Sequence, residues 1–265
     1  MSRSARYIPF ANGRYEVGVG VHTLSDQRFF ECDDRLPRFI EAKRAAGSNP
    51  TLMCEPPADH LRVVWAFVAN RVNAEYGLQL PGVYHDGAFT EACSHIAEDL
   101  VIVSTAGDRH WMSLMDVRLP SGWDPASKIG GTFDQVHAPV PGMESVRRAQ
   151  HDVVKMMITR PPMQRFVWGV QYDDELDHHP DRHTPKVFDH DDPHVTVRIE
   201  RQVIVGFASV GAALFLIRLH LYPLAELSAD EREALARGIE SMSPEARRYK
   251  NVPDDPTALL RVIRS

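Results

Sequence analysis

Residues 195–221 read VTVRIERQVIVGFASVGAALFLIRLHL. Two runs rich in Val, Ile, Leu and Phe, 195–207 and 212–221, are joined by a connection bounded by Gly206 and Gly211, and this predicts a long β-hairpin. Successive strand side chains alternate between faces, so Arg198, Glu200 and Gln202 are expected on one face and Ile199, Arg201 and Val203 on the other. A carboxylate in a largely apolar strand must be paired or perturbed, which makes Glu200 a candidate functional residue. Arg218, on the second run, is its expected partner. A purely structural ion pair is the competing reading.

The flanking sequence supplies further strands. Arg165 to Tyr172 reads as one, and Leu100–Ser104 and Trp111–Leu119 as two more around the turn Ala106-Gly107-Asp108. Arg14 to Leu24 alternates in part and suggests another. Helical patterns precede and follow them. Leu36–Ala46 is one, and Leu61, Val64, Trp65, Val68 and Val72 form a buried stripe that Gly77 ends. Ser145–Arg160 runs up to Pro161-Pro162. Ser228-Ala229-Asp230-Glu231 is a capping box that starts another helix. Pro244 and Pro256 follow the capping residues Ser243 and Asp255 and start two short ones. Strands that can pair through short connections, with helices at both ends of the chain, predict an α+β fold with a mainly antiparallel sheet. A doubly wound nucleotide fold is not expected, because neither a GxGxxG turn nor a P-loop is present. One domain over 1–265 is expected, with a loose arm (1–13), a polar insert (173–194) and C-terminal helices (228–265).

Composition narrows the function classes. The 265 residues are 43% apolar and 25% charged, with a net charge of −6 spread along the chain. Nucleic acid is therefore not an expected partner, because phosphate binding needs a basic face. Three scattered cysteines, Cys32, Cys54 and Cys93, argue against a cysteine-built zinc or iron–sulfur site and suit a reducing cytoplasm. MSRSARYIPF has no apolar core of a secretory leader, and the longest apolar run, Val210–Ile217, is too short to span a bilayer.

The stretch 119–142, LPSGWDPASKIGGTFDQVHAPVPG, is too rich in Gly and Pro for a regular element and too apolar for a solvated loop. Asp124 before Pro125 predicts one capped helical turn. Ser121, between Pro120 and Gly122, reads as a turn residue. His137 stands among apolar and proline neighbours that fix the backbone. Such an imidazole suits a metal or haem axial ligand or an acid/base group, and equally a buried histidine bonded to the backbone. Trp123 and Trp168 suit either a wall for a planar cofactor or plain core. Residues 173–194 hold eight acids and five histidines. His178, His179, His183, Asp177 and Asp181 could ligate a metal, although no rigid ligand motif is repeated and a solvated loop reads the same way. No GxSxG element supports a serine nucleophile.

Taken together, PSGWDPASKIG and VHAPVPG resemble the central signature of the α-subunit family of haem-dependent oxidative N-demethylases. Glu98-Asp99-Leu100, Arg165-Phe166-Val167-Trp168, Arg198-Ile199-Glu200-Arg201-Gln202 and the run 211–218 resemble further family strands in the same order. The resemblance implies a PAS-like fold that binds haem b. It also implies oxidation of a small secondary amine with oxygen to an aldehyde and a primary amine, using electrons from partner subunits carrying flavin and an iron–sulfur cluster. On this reading His137 is the candidate iron ligand, with His194 and His151 as substitutes. Glu200 faces the amine as the catalytic carboxylate, and Trp123, Lys128, Arg198, Arg201 and Arg218 are candidates for cofactor contact. Phe166-Val167 departs from the family's Asn-containing pair, the 173–194 insert is outside its pattern, and no flavin or iron–sulfur module is visible. A non-catalytic PAS-like sensor and a metal-dependent hydrolase built on the insert are the alternatives.

Overall fold

A computed structural model describes residues 5–47 and 51–265. Chain order gives β1 (His22–Thr23), α1 (Leu36–Ala45), β2 (Thr51–Met53), α2 (Ala58–Tyr76), α3 (Ala88–Cys93), β3 (Asp99–Ala106) and β4 (Arg109–Asp116). Then come α4 (Phe133–His137), α5 (Glu144–Arg148), α6 (Gln150–Thr159), β5 (Met163–Gln171), β6 (Thr196–Phe207) and β7 (Ala212–Pro223). The helices α7 (Ala229–Glu240), α8 (Pro244–Tyr249) and α9 (Thr257–Arg264) complete it. The strands form one antiparallel sheet in the order β1-β5-β6-β7-β3-β4-β2, so the fold is α+β, as the hairpin predicts. Among the described residues no helix is long and apolar enough to cross a membrane.

The β6–β7 hairpin is the centre of the sheet. Its turn closes through Gly211 at φ 73°, a left-handed conformation that glycine adopts without steric penalty. Register then sorts every charge. Arg165, Gln202 and Ile217 lie abreast, as do Val167, Glu200 and Leu219, and Gly169, Arg198 and Leu221. The odd partners, Phe166, Arg201 and Arg218, and Trp168, Ile199 and His220, occupy the opposite face.

That opposite face carries two apolar clusters. Leu61, Val64, Trp65, Val68 and Val72 of α2 pack on Leu100, Ile102, Val203, Leu214 and Leu216. Leu235 and Ile239 of α7, with Leu259 and Ile263 of α9, pack on Trp168, Val197 and Ile199. The Glu200 face is covered at one end by Phe133 of α4 and Val153, Val154, Met157 and Ile158 of α6, against Val101, Val103, Ile204 and Ala213. At its other end lie the loops that precede α4 and follow β5.

Three local expectations are corrected. Only His22–Thr23 of the 14–24 run pairs as a strand. The helix over 145–160 is broken at Ala149, which separates α5 from α6. The arm is packed rather than loose: Phe10 is fully buried against Trp168, and Arg6 pairs with Glu231 at 2.7 Å. The Tyr7 hydroxyl donates to Glu31 at 2.5 Å, its amide donates to the Tyr222 hydroxyl, and the Tyr15 amide donates to Ser241 Oγ. Aromatic side chains in the arm find slots in the second cluster, which sequence periodicity does not register. Residues 1–4 of the arm lie outside the described residues.

Candidate functional site

The stretch 119–142 is held down at both ends of its first turn. Asp99, at the start of β3, accepts from the Leu119 amide at 2.9 Å. Pro120 and Gly122 pair with His178 of the insert through two backbone hydrogen bonds, 3.0 and 3.1 Å. The capped turn at Asp124 forms as expected, its side chain accepting from the Ala126 amide over a 3-10 turn at Pro125–Ser127. Trp123 packs in the apolar cluster with Phe133 and Ile129, so its ring braces the loop.

His137 ends α4, a five-residue helix that sequence reading missed. Thr132 and Gln135 form a reciprocal capping box at its start, a local signal hidden among the glycines and prolines. The His137 ring stacks on Phe133, with centroids 4.1 Å apart and planes 26° from parallel. Its Nδ1 donates to the Phe133 carbonyl at 2.8 Å, which fixes the tautomer. Nε2 makes no hydrogen bond among the described residues. Burial lowers the pKa below the ordinary imidazole value; the Phe133 carbonyl opposes this, and the charges of Arg165, Lys128 and Arg147 reinforce it. A neutral imidazole with Nδ1–H on a carbonyl and Nε2 free is the arrangement in which histidine ligates a metal.

Glu200 stands on the same sheet face as Arg165. Its Oε1 accepts from Ser121 Oγ at 2.6 Å and its Oε2 from Gln202 Nε2 at 2.8 Å. Ser121, read from sequence as a turn residue, therefore ties the Gly- and Pro-rich loop to the strand carboxylate across 79 residues. Arg198 Nε donates to the same hydroxyl at 2.8 Å, and its Nη atoms donate to the carbonyls of Leu176 and Leu119, both at 3.0 Å. Arg198 is thus a pin for two loops, its donors already taken by protein atoms.

Two further cations, neither assigned a role from the sequence, lie on this face. The buried Nε of Arg165 has no hydrogen-bond partner, and its guanidinium makes none among the described residues. Burial lowers its pKa, with Glu200 and Tyr15 opposing. Lys250, at the end of α8, reaches β5 beside Gly169, where an added Cβ would stand 3.4 Å from Lys250 Cδ. Burial also lowers the Lys250 pKa, which Glu200 raises and Arg165 and Arg198 lower further. Strand alternation could have placed Arg165 on the Glu200 face. Lys250 had no signal in the sequence, because only the path of α8 brings it here. Arg165 and Lys250 share Glu200 as a nearby carboxylate, whereas Arg198 also has Asp99, Asp173 and Asp177 around it.

Arg201 and Arg218 are elsewhere. The expected Arg218–Glu200 pair is not formed, because antiparallel register points Arg218 to the other face, where it binds Asp33 at 2.9 Å. Arg201 lies beside it, with Nε 3.7 Å from Glu31 and Nη atoms on the carbonyls of Arg28 and Phe29. Glu31 also accepts from His220 at 3.0 Å. Burial pushes the Glu31 carboxyl up, but His220, Arg201 and the Tyr7 hydroxyl outweigh it and hold the pKa at about 2. His194 is exposed beside Asp174, and His151 is exposed beside His110, whose Nε2 accepts from the Phe133 amide at the start of α4.

The donor set fits a haem. His137 Nε2 is free to ligate iron, and the partnerless Arg165 with Lys250 supplies charge for carboxylates. No curated protein matches the chain. Residues 59–260, most of the sequence and strands β3 to β7, match the family described as haem-dependent oxidative N-demethylase, alpha subunit-like. The chain belongs to the haem-dependent oxidative N-demethylase alpha-subunit-like family.

Proposed function

We propose that this chain is a haem b-binding, PAS-like oxygen-activating subunit that oxidises a small secondary amine to an aldehyde and a primary amine. The electrons come from a separate flavin and iron–sulfur reductase. The observation that carries the reading is His137, with Nδ1 pinned to Phe133 and Nε2 unengaged. Haem, when bound, supplies the oxygen chemistry. The rest belongs to the chain's residues. His137 would hold the iron through Nε2. Arg165 and Lys250, which share Glu200, would hold the haem carboxylates. Glu200, oriented by Ser121 and Gln202, faces the cationic amine, binding its ammonium or taking its proton. Ser121 holds Glu200 in place, so this carboxylate does not have to reorganise when the amine binds.

Haem titration of the full chain tests this. Stoichiometric binding with a Soret band is expected, and His137→Ala is expected to change the axial-ligand spectrum. A folded protein that stays colourless in excess haem overturns the proposal. Glu200→Gln is expected to retain haem and lose amine turnover with an artificial reductant. Absence of turnover by the wild-type holoprotein, across amines that do shift its spectrum, favours the sensor alternative.

A further inference from the structure

The insert 173–194 contains a second constellation, separate from His137. Among the described residues one group of His, Cys, Asp and Glu side chains converges as metal ligands do: Asp173, His178 and His183, whose ligating atoms lie within 4.8 Å of one another. Asp173 is 5% exposed. His178 Nε2 is 3.0 Å from its Oδ1 and His183 Nε2 is 3.3 Å from its Oδ2. The two imidazoles are parallel, 4° apart in plane with centroids at 4.1 Å, so both present Nε2 to the same carboxylate. Despite its proximity, His183 Nε2 is buried and makes no hydrogen bond. A buried ring nitrogen without a partner calls for an explanation.

The surroundings are those of a built site. Asp173 Oδ1 accepts from the Glu175 amide at 3.0 Å and from Gln171 Nε2 at 3.2 Å, which orients the carboxylate. His178 is fixed by its backbone bonds to Pro120 and Gly122, and the His183 amide donates to the His179 carbonyl at 2.8 Å. The other residues that the sequence suggested as ligands are committed elsewhere: His179 to Asp124 and Asp177 to Arg182. Asp181 is exposed.

We propose that Asp173, His178 and His183 bind one divalent transition-metal ion, of which Zn2+ is the probe used here, and that the ion clamps the insert onto the loop carrying Ser121. Ligand atoms about 2.1 Å from zinc are at most about 4.2 Å apart, so small side-chain movements complete the shell. Two imidazoles and one carboxylate leave room for water and suit zinc or ferrous iron. The site stands independently of haem.

Full-length protein prepared without haem, stripped with a chelator and titrated with ZnCl2 by calorimetry, is expected to bind one equivalent and to gain thermal stability. Co2+ is expected to give visible d–d absorption. His183→Ala, on a loop away from the apolar clusters, is expected to weaken binding at least 100-fold and abolish the thermal shift. His179→Ala is expected to bind as wild type does. Gln171→Ala is expected to weaken binding about 10- to 100-fold. A wild-type titration without heat or thermal shift overturns the proposal whatever the variants do, and so does a His183→Ala protein that binds Zn2+ as wild type does.

Discussion

Replacing Arg165 with methionine separates stability from function. Arg165 holds a buried Nε without a partner, on a face where its neighbours Arg198 and Lys250 are also cations. The carboxylate that Arg165 shares with Lys250, Glu200, is already bonded by Ser121 and Gln202. A buried donor left unsatisfied costs about 1–3 kcal/mol, and exchanging a buried charge for an apolar side chain of similar length is often stabilising. Some attraction to Glu200 is lost, so the expected net gain for the haem-free protein is about 1–2 kcal/mol. With a urea m-value of about 3 kcal/mol/M, the midpoint rises by roughly 0.3–0.7 M. Haem affinity should fall at the same time. A hydrogen bond to a charged group is worth about 1.5–3 kcal/mol, or roughly 10- to 100-fold in Kd. Urea unfolding followed by circular dichroism, together with haem titration at the Soret band, measures both. An Arg165→Met protein that is less stable than wild type and binds haem equally well would refute the reasoning and make Arg165 structural.

Other perturbations follow from the same geometry. Ser121→Ala removes the acceptor of Arg198 Nε and one donor to Glu200, and is expected to cost about 1–2 kcal/mol in urea unfolding and to weaken amine-induced spectral shifts; unchanged values would show that the bridge does not position Glu200. Glu31 has a folded-state pKa near 2 against an ordinary 4.5, so its stabilisation is complete above pH 4.5 and disappears as the pH falls towards 2. The loss is on the order of 3 kcal/mol, and Glu31→Gln should flatten the acid limb of stability against pH; an identical limb would exclude Glu31 as its source. Gly206→Ala would set a Cβ 2.1 Å from the Ile158 carbonyl oxygen, which cannot swing aside, whereas Gly169→Ala would meet Lys250 Cδ at 3.4 Å. The first is expected to lose about 1–3 kcal/mol or more and the second to change little, as read by calorimetric Tm; equal effects would contradict the packing of α6 on β6.

The elements legible in the sequence were those set by local chemistry. The α2 stripe ends at Gly77 in the left-handed conformation, and the Ser228 capping box forms as written. The hairpin runs as expected, extended by two residues at Pro223. Alternation also separated Arg198 and Glu200 from Arg201 correctly. It could not tell which face Arg218 would share, because that depends on the register between β6 and β7, where one residue of slip inverts the answer. The site was legible in its loop and its strand but not in their junction. Ser121 looked like turn chemistry, since its partners are 77 and 79 residues away. Asp173 carries no ligand signal in the sequence, because only the path of the insert brings it beside His178 and His183. The five-residue α4 was too short for any periodicity to show, so His137 was noticed for its neighbours and not for the helix that aims it.

The N-terminal arm bears on how the chain is assembled. Arg6 and Glu231 are 225 residues apart, Tyr7 and Tyr222 are 215, and Tyr15 and Ser241 are 226. Every one of these contacts closes a loop nearly as long as the chain, so none can form during synthesis until β7 and α7 have emerged. The arm, made before β7 and α7, is therefore among the last parts to dock. Until it does, the slot for Phe10 beside Trp168 is open, and the hydrophobic surface there is exposed to other chains. Folding yield should depend on the arm more steeply than equilibrium stability does, and a bulky fusion at the N-terminus should slow the final step while leaving the sheet intact.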